Sequence, residues 1–191
     1  MTRTAVDDAR SIAAGVAMTL DEDEAMARAA SLDPLAFAAI YERHRTPVYR
    51  YLRSRTVSDD EAGELCAVTF ERALLAIGRF RPSGGGMIAW LLRIARNAQI
   101  DATRRRSRQA SRVDGAESEP GSGADRALED SAVLRSLIQG LPAHQRDAVQ
   151  LRFAGGLTAR EIGAVLGISE GAAQKQLERA LAALKEAYRV D

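Results

Sequence analysis

The sequence contains very little cysteine and histidine, and each scarcity excludes a class of protein. Cys66 is the only cysteine, so neither an internal disulfide nor a cysteine-based structural metal site is expected. The two histidines, His44 and His144, are far apart in the sequence, and no nucleophile–base constellation stands out. The sequence therefore predicts a protein that is not an enzyme and that holds no metal ion or cofactor.

Long apolar runs are also missing. No run approaches the ~18 residues that a membrane-spanning helix needs. The mildly apolar segment 11–20 follows Asp7 and Asp8, which is unlike a signal peptide. We therefore expect a soluble, cytoplasmic protein in a reducing environment, without membrane insertion. Cys66 lies in an apolar helical stretch, where a buried and inert thiol is favoured over a redox sensor.

Aromatic residues make up only 5% of the chain, and alanine and leucine dominate over β-branched residues. This composition favours helices over sheets. A length of 191 residues accommodates one medium domain or two small ones. The predicted fold class is all-α, with two small helical domains joined by a flexible acidic linker and a helix-turn-helix in the second domain.

The net charge of +1 conceals four blocks of different sign. Residues 1–30 carry −3, residues 31–112 carry +7, residues 113–130 carry −5, and residues 131–191 carry +2. Two basic blocks separated by an acidic one predict a polyanionic partner. The same boundaries predict a flexible N-terminal extension or weak helix over 1–30 and domains over 31–112 and 131–191. The Gly-, Ser- and acid-rich segment 113–130 is the predicted linker.

The most specific local motif lies between Leu157 and Arg179. Thr158 and Glu161 have the spacing of a capping box, Gly167 ends that helix, and Ser169 caps the next one. This pattern is typical of a helix-turn-helix, whose second helix enters the DNA major groove. An αα-hairpin that only packs is the alternative. The predicted groove-facing side chains are Glu170, Gln174, Lys175, Glu178 and Arg179.

A second motif is the basic helix predicted from about Met87 to Arg106. Its arginines suit phosphate groups, and Phe80 with the glycine-rich loop before the helix can cup an unstacked base. A solvated charged face with Trp90 in the core is the competing interpretation, and Trp90 itself is expected in the core. On these residues alone the two interpretations stay open.

Taken together, the motifs resemble sigma factors of the extracytoplasmic-function type, in the sigma-70 family. The resemblance covers residues 31–112 and 131–189. The residues that carry it are Phe37, Tyr41-Glu42-Arg43-His44, Val48-Tyr49-Arg50-Tyr51-Leu52, Thr69-Phe70, Phe80-Arg81, Trp90 to Asn97, Asp101, Arg104-Arg105-Arg106, Leu141-Pro142, Gln145-Arg146, Leu151-Arg152-Phe153 and the helix-turn-helix.

The resemblance implies an alternative sigma factor that binds core RNA polymerase and promotes promoter opening. By resemblance, the first domain binds the β′ clamp helices through Glu61, Glu64, Leu65, Val68 and Arg72. It captures the single-stranded minus-ten element, with Ala76, Phe80 and Asn97 as a pocket for a flipped base. The other implied minus-ten contacts are Arg81, Arg93, Arg96, Asp101, Arg104 and Arg105.

The resemblance further implies that the second domain contacts the β flap and reads the duplex minus-thirty-five element. The implied contacts there are Arg160, Ser169, Glu170, Gln174, Lys175, Glu178 and Arg179. An anti-sigma factor is the expected regulatory partner. The acidic linker resembles the segment that passes through the polymerase RNA channel, although a plain tether is an equal alternative.

The chain also departs from the family pattern. Ala67 and Val68 stand where the family usually has Gln-Glu, and Gln174 and Gln176 stand where arginine is common. These changes predict altered polymerase affinity and promoter preference. Two other functions remain open from sequence: a freestanding transcriptional regulator that works without polymerase, and an interaction protein that has lost DNA binding.

Overall fold

The computed structural model describes residues 20–82, 84–110 and 126–190, which contain eight α-helices and no strand. No helix within these ranges is long and apolar enough to cross a membrane. Two short 3-10 turns, Pro34–Ala36 and Ile77–Arg79, connect neighbouring helices. The helices are α1 (Leu20–Leu32), α2 (Phe37–Arg53), α3 (Asp59–Ala76), α4 (Gly86–Ala110), α5 (Arg126–Gly140), α6 (Ala143–Phe153), α7 (Ala159–Leu166) and α8 (Glu170–Val190). The predicted all-α fold class is confirmed.

Two of the helices, α3 and α7, begin at side-chain caps. The Ser58 hydroxyl accepts a hydrogen bond from the Glu61 backbone N–H at 3.2 Å, which caps α3. Thr158 and Glu161 form the capping box of α7, with the Thr158 N–H donating to the Glu161 carboxylate at 2.7 Å. Each cap satisfies backbone donors that have no partner within their helix.

The N-terminal segment differs from the sequence prediction. Composition placed most of residues 20–32 in a flexible extension or weak helix. In the structure they form α1, which packs on the first unit. Ala27 and Ala30 are buried in the core, because their small side chains allow the helix to approach closely. Residues 1–19 lie outside the described ranges. The folded first unit therefore begins at least ten residues earlier than predicted.

Asp23 ties α1 to the start of α4. Its carboxylate accepts a hydrogen bond from the Met87 backbone N–H at 2.5 Å, and Asp23 is only 3% exposed. Gly86 beside it has a φ of +62°, and a Cβ there would lie 2.6 Å from the Asp23 carboxylate. Burial raises the pKa of Asp23. A helix N-terminus with free N–H groups is a favourable place for this buried carboxylate.

The predicted acidic linker falls mainly outside the described residues, because positions 111–125 are not part of the described ranges. Helix α5 begins at Arg126, five residues before the predicted start of the second domain. Neither the RNA-channel interpretation nor the tether interpretation of this segment is tested.

The two units pack against each other along α4 and α7. One cluster of buried apolar residues runs from the first unit, including Leu91 and Leu92, into the second, including Leu151, Leu157 and Ile162. A Cβ built on Gly85 would lie 2.9 Å from the Cβ of Ala164, so the backbone before α4 touches α7 directly. The chain therefore adopts a closed arrangement of two helical units.

The turn of the helix-turn-helix depends on a glycine in α7. A Cβ on Gly163 would lie 2.7 Å from the Ile168 carbonyl oxygen, whereas a Cβ on Gly171 in α8 would meet nothing within 4 Å. We expect Gly163→Ala to lower the free energy of unfolding by about 1–2 kcal/mol, since crowding outweighs the gain in helix propensity.

Gly171→Ala is the matched control, and it is expected to raise the free energy of unfolding by about 0.5–1 kcal/mol. Urea unfolding of both variants measures the difference. Equal changes at the two positions would show that the close approach at Gly163 carries no energetic cost.

Candidate nucleic-acid interface

An exposed polar stripe runs along α4. Arg93, Asn97 and Arg104 are all exposed. At 3.6 residues per turn these three side chains fall within about 40° of one another around the helix axis. The opposite face of α4 buries Leu91, Ala95 and Ala98 in the core and fixes the orientation of the stripe. An amide between two guanidinium groups is suited to a base edge flanked by backbone phosphates.

Other side chains of the predicted minus-ten set have protein partners. Asp101 pairs with Arg72 of α3 at 3.2 Å, which joins a predicted DNA-contacting residue to a predicted polymerase-contacting one. Arg96 donates two hydrogen bonds to Asp147 of the second unit, at 3.1 and 2.8 Å. Arg105 is exposed, as is Arg81, whose guanidinium donates to the Phe80 carbonyl at 2.8 Å.

Phe80 does not form the surface of a pocket. It is only 4% exposed, and its ring packs edge-on against Trp90 with 5.4 Å between the ring centroids. The core surrounds the ring in this arrangement, and the contact of Phe80 with a flipped base stays a prediction. Ala76 is half-buried at the end of α3, and Trp90 packs against the core as expected.

The glycine loop before α4 lies under the second unit. The Arg160 guanidinium lies beside Gly84, with its Nε 3.0 Å from where a Cβ would be, and Gly85 lies against Ala164. Arg160, a predicted minus-thirty-five contact, therefore faces the first unit in the closed arrangement. The predicted minus-ten loop and the first helix of the helix-turn-helix cover each other.

The second helix of the helix-turn-helix is accessible along its outer face. Glu170, Gln174, Lys175, Glu178 and Arg179 are exposed, while Ala173, Leu177 and Ala180 are buried. Ser169 caps the helix by accepting a hydrogen bond from the Ala172 N–H at 3.2 Å. The Gln174 amide donates a hydrogen bond to the Glu178 carboxylate at 3.0 Å. All the predicted groove-facing side chains lie on the exposed side.

The predicted polymerase-binding helix, α3, presents a mixed face. Glu64 is exposed, and Val68 and Arg72 are half-buried. Leu65, by contrast, is 5% exposed and lies in the core, and its contact with polymerase stays a prediction. Glu61 forms an ion pair with Arg106 of α4.

Several residues at the boundary between the units were not predicted from sequence. Arg55 follows α2, while Asp147 and Gln150 lie on α6, and all three are at most partly exposed. Their side chains meet across more than 90 positions of sequence. The buried acid within the sequence Gln145-Arg146-Asp147-Ala148-Val149 was the available signal, because a charge on an apolar helix face needs a partner. Among the described residues, no cluster of side chains has the composition of a metal site.

Cys66 is buried on α3, and burial raises the pKa of its thiol. A thiol with a raised pKa has little of the reactive thiolate at neutral pH. These observations favour the inert role over the redox role.

The fold and its two exposed polar helices define a two-unit helical protein of the nucleic-acid-binding class, and comparisons with known proteins specify the family. The Sigma-70 region 2 family model matches residues 40–109, and the Sigma-70, region 4 family model matches residues 131–184. Together these segments cover most of the chain and coincide with the two units of the fold.

Similar curated proteins are sigma factors too. The chain is 34% identical over 168 residues to the ECF RNA polymerase sigma factor BldN of Streptomyces coelicolor, covering 84% of this chain and 63% of BldN. It is 34% identical over 180 residues to the ECF RNA polymerase sigma factor SigD of Mycobacterium tuberculosis H37Rv, covering 86% of this chain and 82% of SigD. The chain thus spans somewhat less than two thirds of the length of BldN.

A solved structure shares the fold. CnrH, determined in complex with the cytosolic domain of CnrY, superimposes with a TM-score of 0.68 at 25% identity, covering 88% of this chain and 98% of CnrH. The chain belongs to the extracytoplasmic-function sigma factors of the sigma-70 family.

Proposed function

We propose that this chain is an alternative sigma factor that binds core RNA polymerase, recognises the minus-thirty-five and minus-ten promoter elements, and promotes DNA opening. The observation that carries the proposal is the pairing of two family regions with two exposed surfaces. Region 2 contains the Arg93–Asn97–Arg104 stripe, and region 4 contains the exposed reading helix.

In the first unit, Asn97 reads an unstacked minus-ten base while Arg93, Arg104 and Arg105 hold the strand backbone. Extruding a base costs a few kcal/mol, so a preformed polar stripe favours sequences that unstack easily. Ala76 and Arg81 are the further proposed contacts of this strand, and Phe80 packs against Trp90 at the start of α4. Arg96 and Asp101 join the set when their protein partners release them.

In the second unit, α8 enters the major groove of the minus-thirty-five element. Lys175 and Arg179 supply cationic contacts, while Gln174 suits an adenine edge. Ser169, Glu170 and Glu178 flank these contacts at the start of the helix. Arg160 contacts a phosphate after the units separate.

Core polymerase binds the exposed face of α3 around Glu64, Val68 and Arg72, with Glu61 positioning the helix and Leu65 supporting it from within. The β flap binds the second unit. An anti-sigma factor is the proposed regulatory partner, since the related CnrH is solved with the cytosolic domain of CnrY bound. Because the proposed partners, core polymerase and promoter DNA, are both cytoplasmic, the proposed site of action is the cytoplasm.

A freestanding DNA-binding regulator is the alternative function and is not favoured. Such a regulator has no need of a region 2 unit with an exposed polar stripe. Sigma factors act as initiation factors, and no reaction is proposed for this chain.

Reconstitution of transcription tests the proposal. The purified chain is mixed with core polymerase and a library of promoter fragments, and specific run-off transcripts are sequenced. Transcripts that start at defined positions only when the chain is present would support the function. Tight binding of the chain alone to duplex DNA, with no binding to core polymerase, would support the freestanding regulator instead.

Asn97→Ala separates promoter opening from polymerase binding. We expect open-complex formation to fall about tenfold, which corresponds to one lost hydrogen-bonding contact, while the Kd for core polymerase stays the same. Permanganate footprinting measures opening, and fluorescence anisotropy measures polymerase binding. Gln109→Ala, which removes an exposed amide on another face of α4, is the control. Equal loss of opening and polymerase binding would contradict the assignment of Asn97.

A further inference from the structure

A buried carboxylate joins the two units of this protein. Asp147 on α6 accepts a hydrogen bond from Arg55 at 2.6 Å through one oxygen. Its other oxygen accepts two from Arg96, at 3.1 and 2.8 Å. The Asp147 side chain is 9% exposed. All three of these hydrogen bonds come from arginines of the first unit. Both carboxylate oxygens are therefore occupied by guanidinium groups of the other unit.

Neighbouring polar groups complete this junction. Gln150 accepts a hydrogen bond from Arg55 at 2.6 Å and donates one to the Ser54 carbonyl at 2.9 Å. The Arg55 guanidinium also lies 5.4 Å from the centre of the Tyr51 ring. Asp147, Arg55 and Gln150 therefore form one hydrogen-bonded network between the two units.

Arg96 donates both hydrogen bonds to the same Asp147 oxygen, through Nε and one terminal nitrogen. An arginine guanidinium binds carboxylate and phosphate oxygens through the same parallel N–H groups. Arg96 is one of the side chains proposed to hold the minus-ten strand. Its guanidinium cannot give those two N–H groups to Asp147 and to a DNA phosphate at the same time.

Further arginines line a cleft that opens beside Asp147. The cleft has a volume of about 510 Å³, and Arg55, Arg96, Arg104 and Arg146 are among its lining residues. Among the described residues that line the cleft, Asp147 is the only one with a carboxylate. A nucleic-acid backbone that approached this cleft would therefore meet an excess of positive charge, with Asp147 as the competing anion.

The closed arrangement is also too small for the proposed function. Promoter elements named for positions −35 and −10 are ~25 base pairs apart, which is about 85 Å at ~3.4 Å per base pair. A compact chain of this length has a radius of gyration of about 16 Å and a diameter of about 42 Å. The two units must therefore separate before both elements can be read.

We propose that Asp147 holds the free chain in a self-blocked state, in which its carboxylate occupies Arg96 in the place of a DNA phosphate. Nucleic acid and Asp147 compete for the same guanidinium, so separation of the units and capture of the minus-ten strand are coupled. The competition rests on the proposed DNA-binding role of Arg96, whereas the closure itself rests only on the contacts between the units.

Asp147→Asn tests the proposal because it keeps the side-chain shape and removes the charge. We expect the radius of gyration, measured by small-angle X-ray scattering, to rise. The affinity for a fluorescent random-sequence single-stranded 20-mer is expected to increase at least fivefold. Asp59→Asn is the matched control, since Asp59 pairs with Arg53 inside the first unit and its loss changes the net charge equally. The control is expected to stay closed and to gain less than twofold in affinity.

A second variant opens the chain without changing its charge. Ala164→Gln places a longer neutral side chain between α7 and Gly85, and we expect the same rise in radius of gyration and in affinity. Circular dichroism confirms that each variant is folded. A folded Asp147→Asn protein that stays closed, or a gain in affinity equal to that of Asp59→Asn, would overturn the proposal.

Opening without any gain in affinity in either variant would also overturn it, because Asp147 would then not compete with nucleic acid. The proposed sigma function is tested separately, by transcription with wild-type protein and core polymerase. That assay can fail while the closure is observed, and it can succeed while Asp147 proves irrelevant to closure.

Discussion

Replacing Lys175 and Arg179 together by alanine is expected to weaken binding of the purified chain to duplex DNA about 60-fold at 0.1 M salt. Each phosphate contact adds ~0.9 to the slope of log K against log salt concentration, which makes it worth about eightfold between 1 M and 0.1 M. Both side chains lie on the exposed outer face of α8, within its N-terminal half. Their loss therefore also lowers the salt slope by about 2.

Fluorescence anisotropy with a labelled duplex across a salt series measures both quantities. Lys185→Ala combined with Arg189→Ala is the matched control, because it removes the same charge from exposed positions of the same helix. These control positions lie ten residues further along, about 15 Å away at 1.5 Å per residue. If both double variants lose affinity equally, only net charge matters and the groove-facing side of α8 has been assigned wrongly.

The free energy of unfolding is expected to fall by roughly 3 kcal/mol from pH 7 to pH 4 because of His44 alone. His44 is 1% exposed, and neither ring nitrogen has a hydrogen-bond partner among the described residues. Burial, with a smaller contribution from the charge of Arg43, lowers the pKa of His44 to about 4. Its unfolded pKa is about 6.5, and each unit of difference corresponds to about 1.4 kcal/mol.

Acid lowers the free energy of unfolding here because the pKa of His44 is lower in the folded chain than in the unfolded chain. A histidine whose pKa is depressed in the folded state contributes its full stability above the unfolded pKa. That contribution is lost as the pH falls from 6.5 through the folded pKa of about 4. The unfolded chain takes up the proton in this range while the folded chain resists it.

Urea unfolding of the wild type and of His44→Leu between pH 4 and pH 7 measures the effect. The variant is expected to lack this loss, and the difference between the two curves isolates His44 from the carboxylates that both proteins share. Asp23 is one of these, and its raised pKa acts in the opposite direction in both. His144→Gln, at an exposed position, should leave the curve unchanged. Parallel curves for wild type and His44→Leu would show that the buried imidazole does not control acid stability.

Local sequence signals were sufficient for the helices and for the helix-turn-helix. The Thr158–Glu161 pair and Ser169 cap the helices where their spacing predicted, since a cap depends on residues within one turn. The outer face of α8 also followed from sequence, because helical periodicity decides which side chains point outward. The family resemblance rests on the same local motifs and was confirmed by the matches to both regions.

Contacts between residues distant in the sequence decided which predicted site residues are buried and where the N-terminal segment packs. Phe80 and Leu65 belong to exposed surfaces by resemblance, but packing of α3 and α4 places both in the core. Composition suggested a flexible N-terminus, yet the small side chains of α1 dock on the first unit and Asp23 caps α4 from 64 positions away. Spacing cannot predict such contacts, because many distant pairs have compatible chemistry and only the folded backbone selects among them.

The sequence by itself therefore determined an all-α chain with two basic units and a helix-turn-helix whose second helix has a polar outer face, since charge, periodicity and capping are properties of neighbouring residues. Only the tertiary structure decided that the units close on each other and that Asp147 pairs with Arg96 and Arg55. The physical reason is that a buried charge needs opposite charges around it. Those charges come from segments 51 and 92 positions away, which only the packing of α4 and α6 brings together.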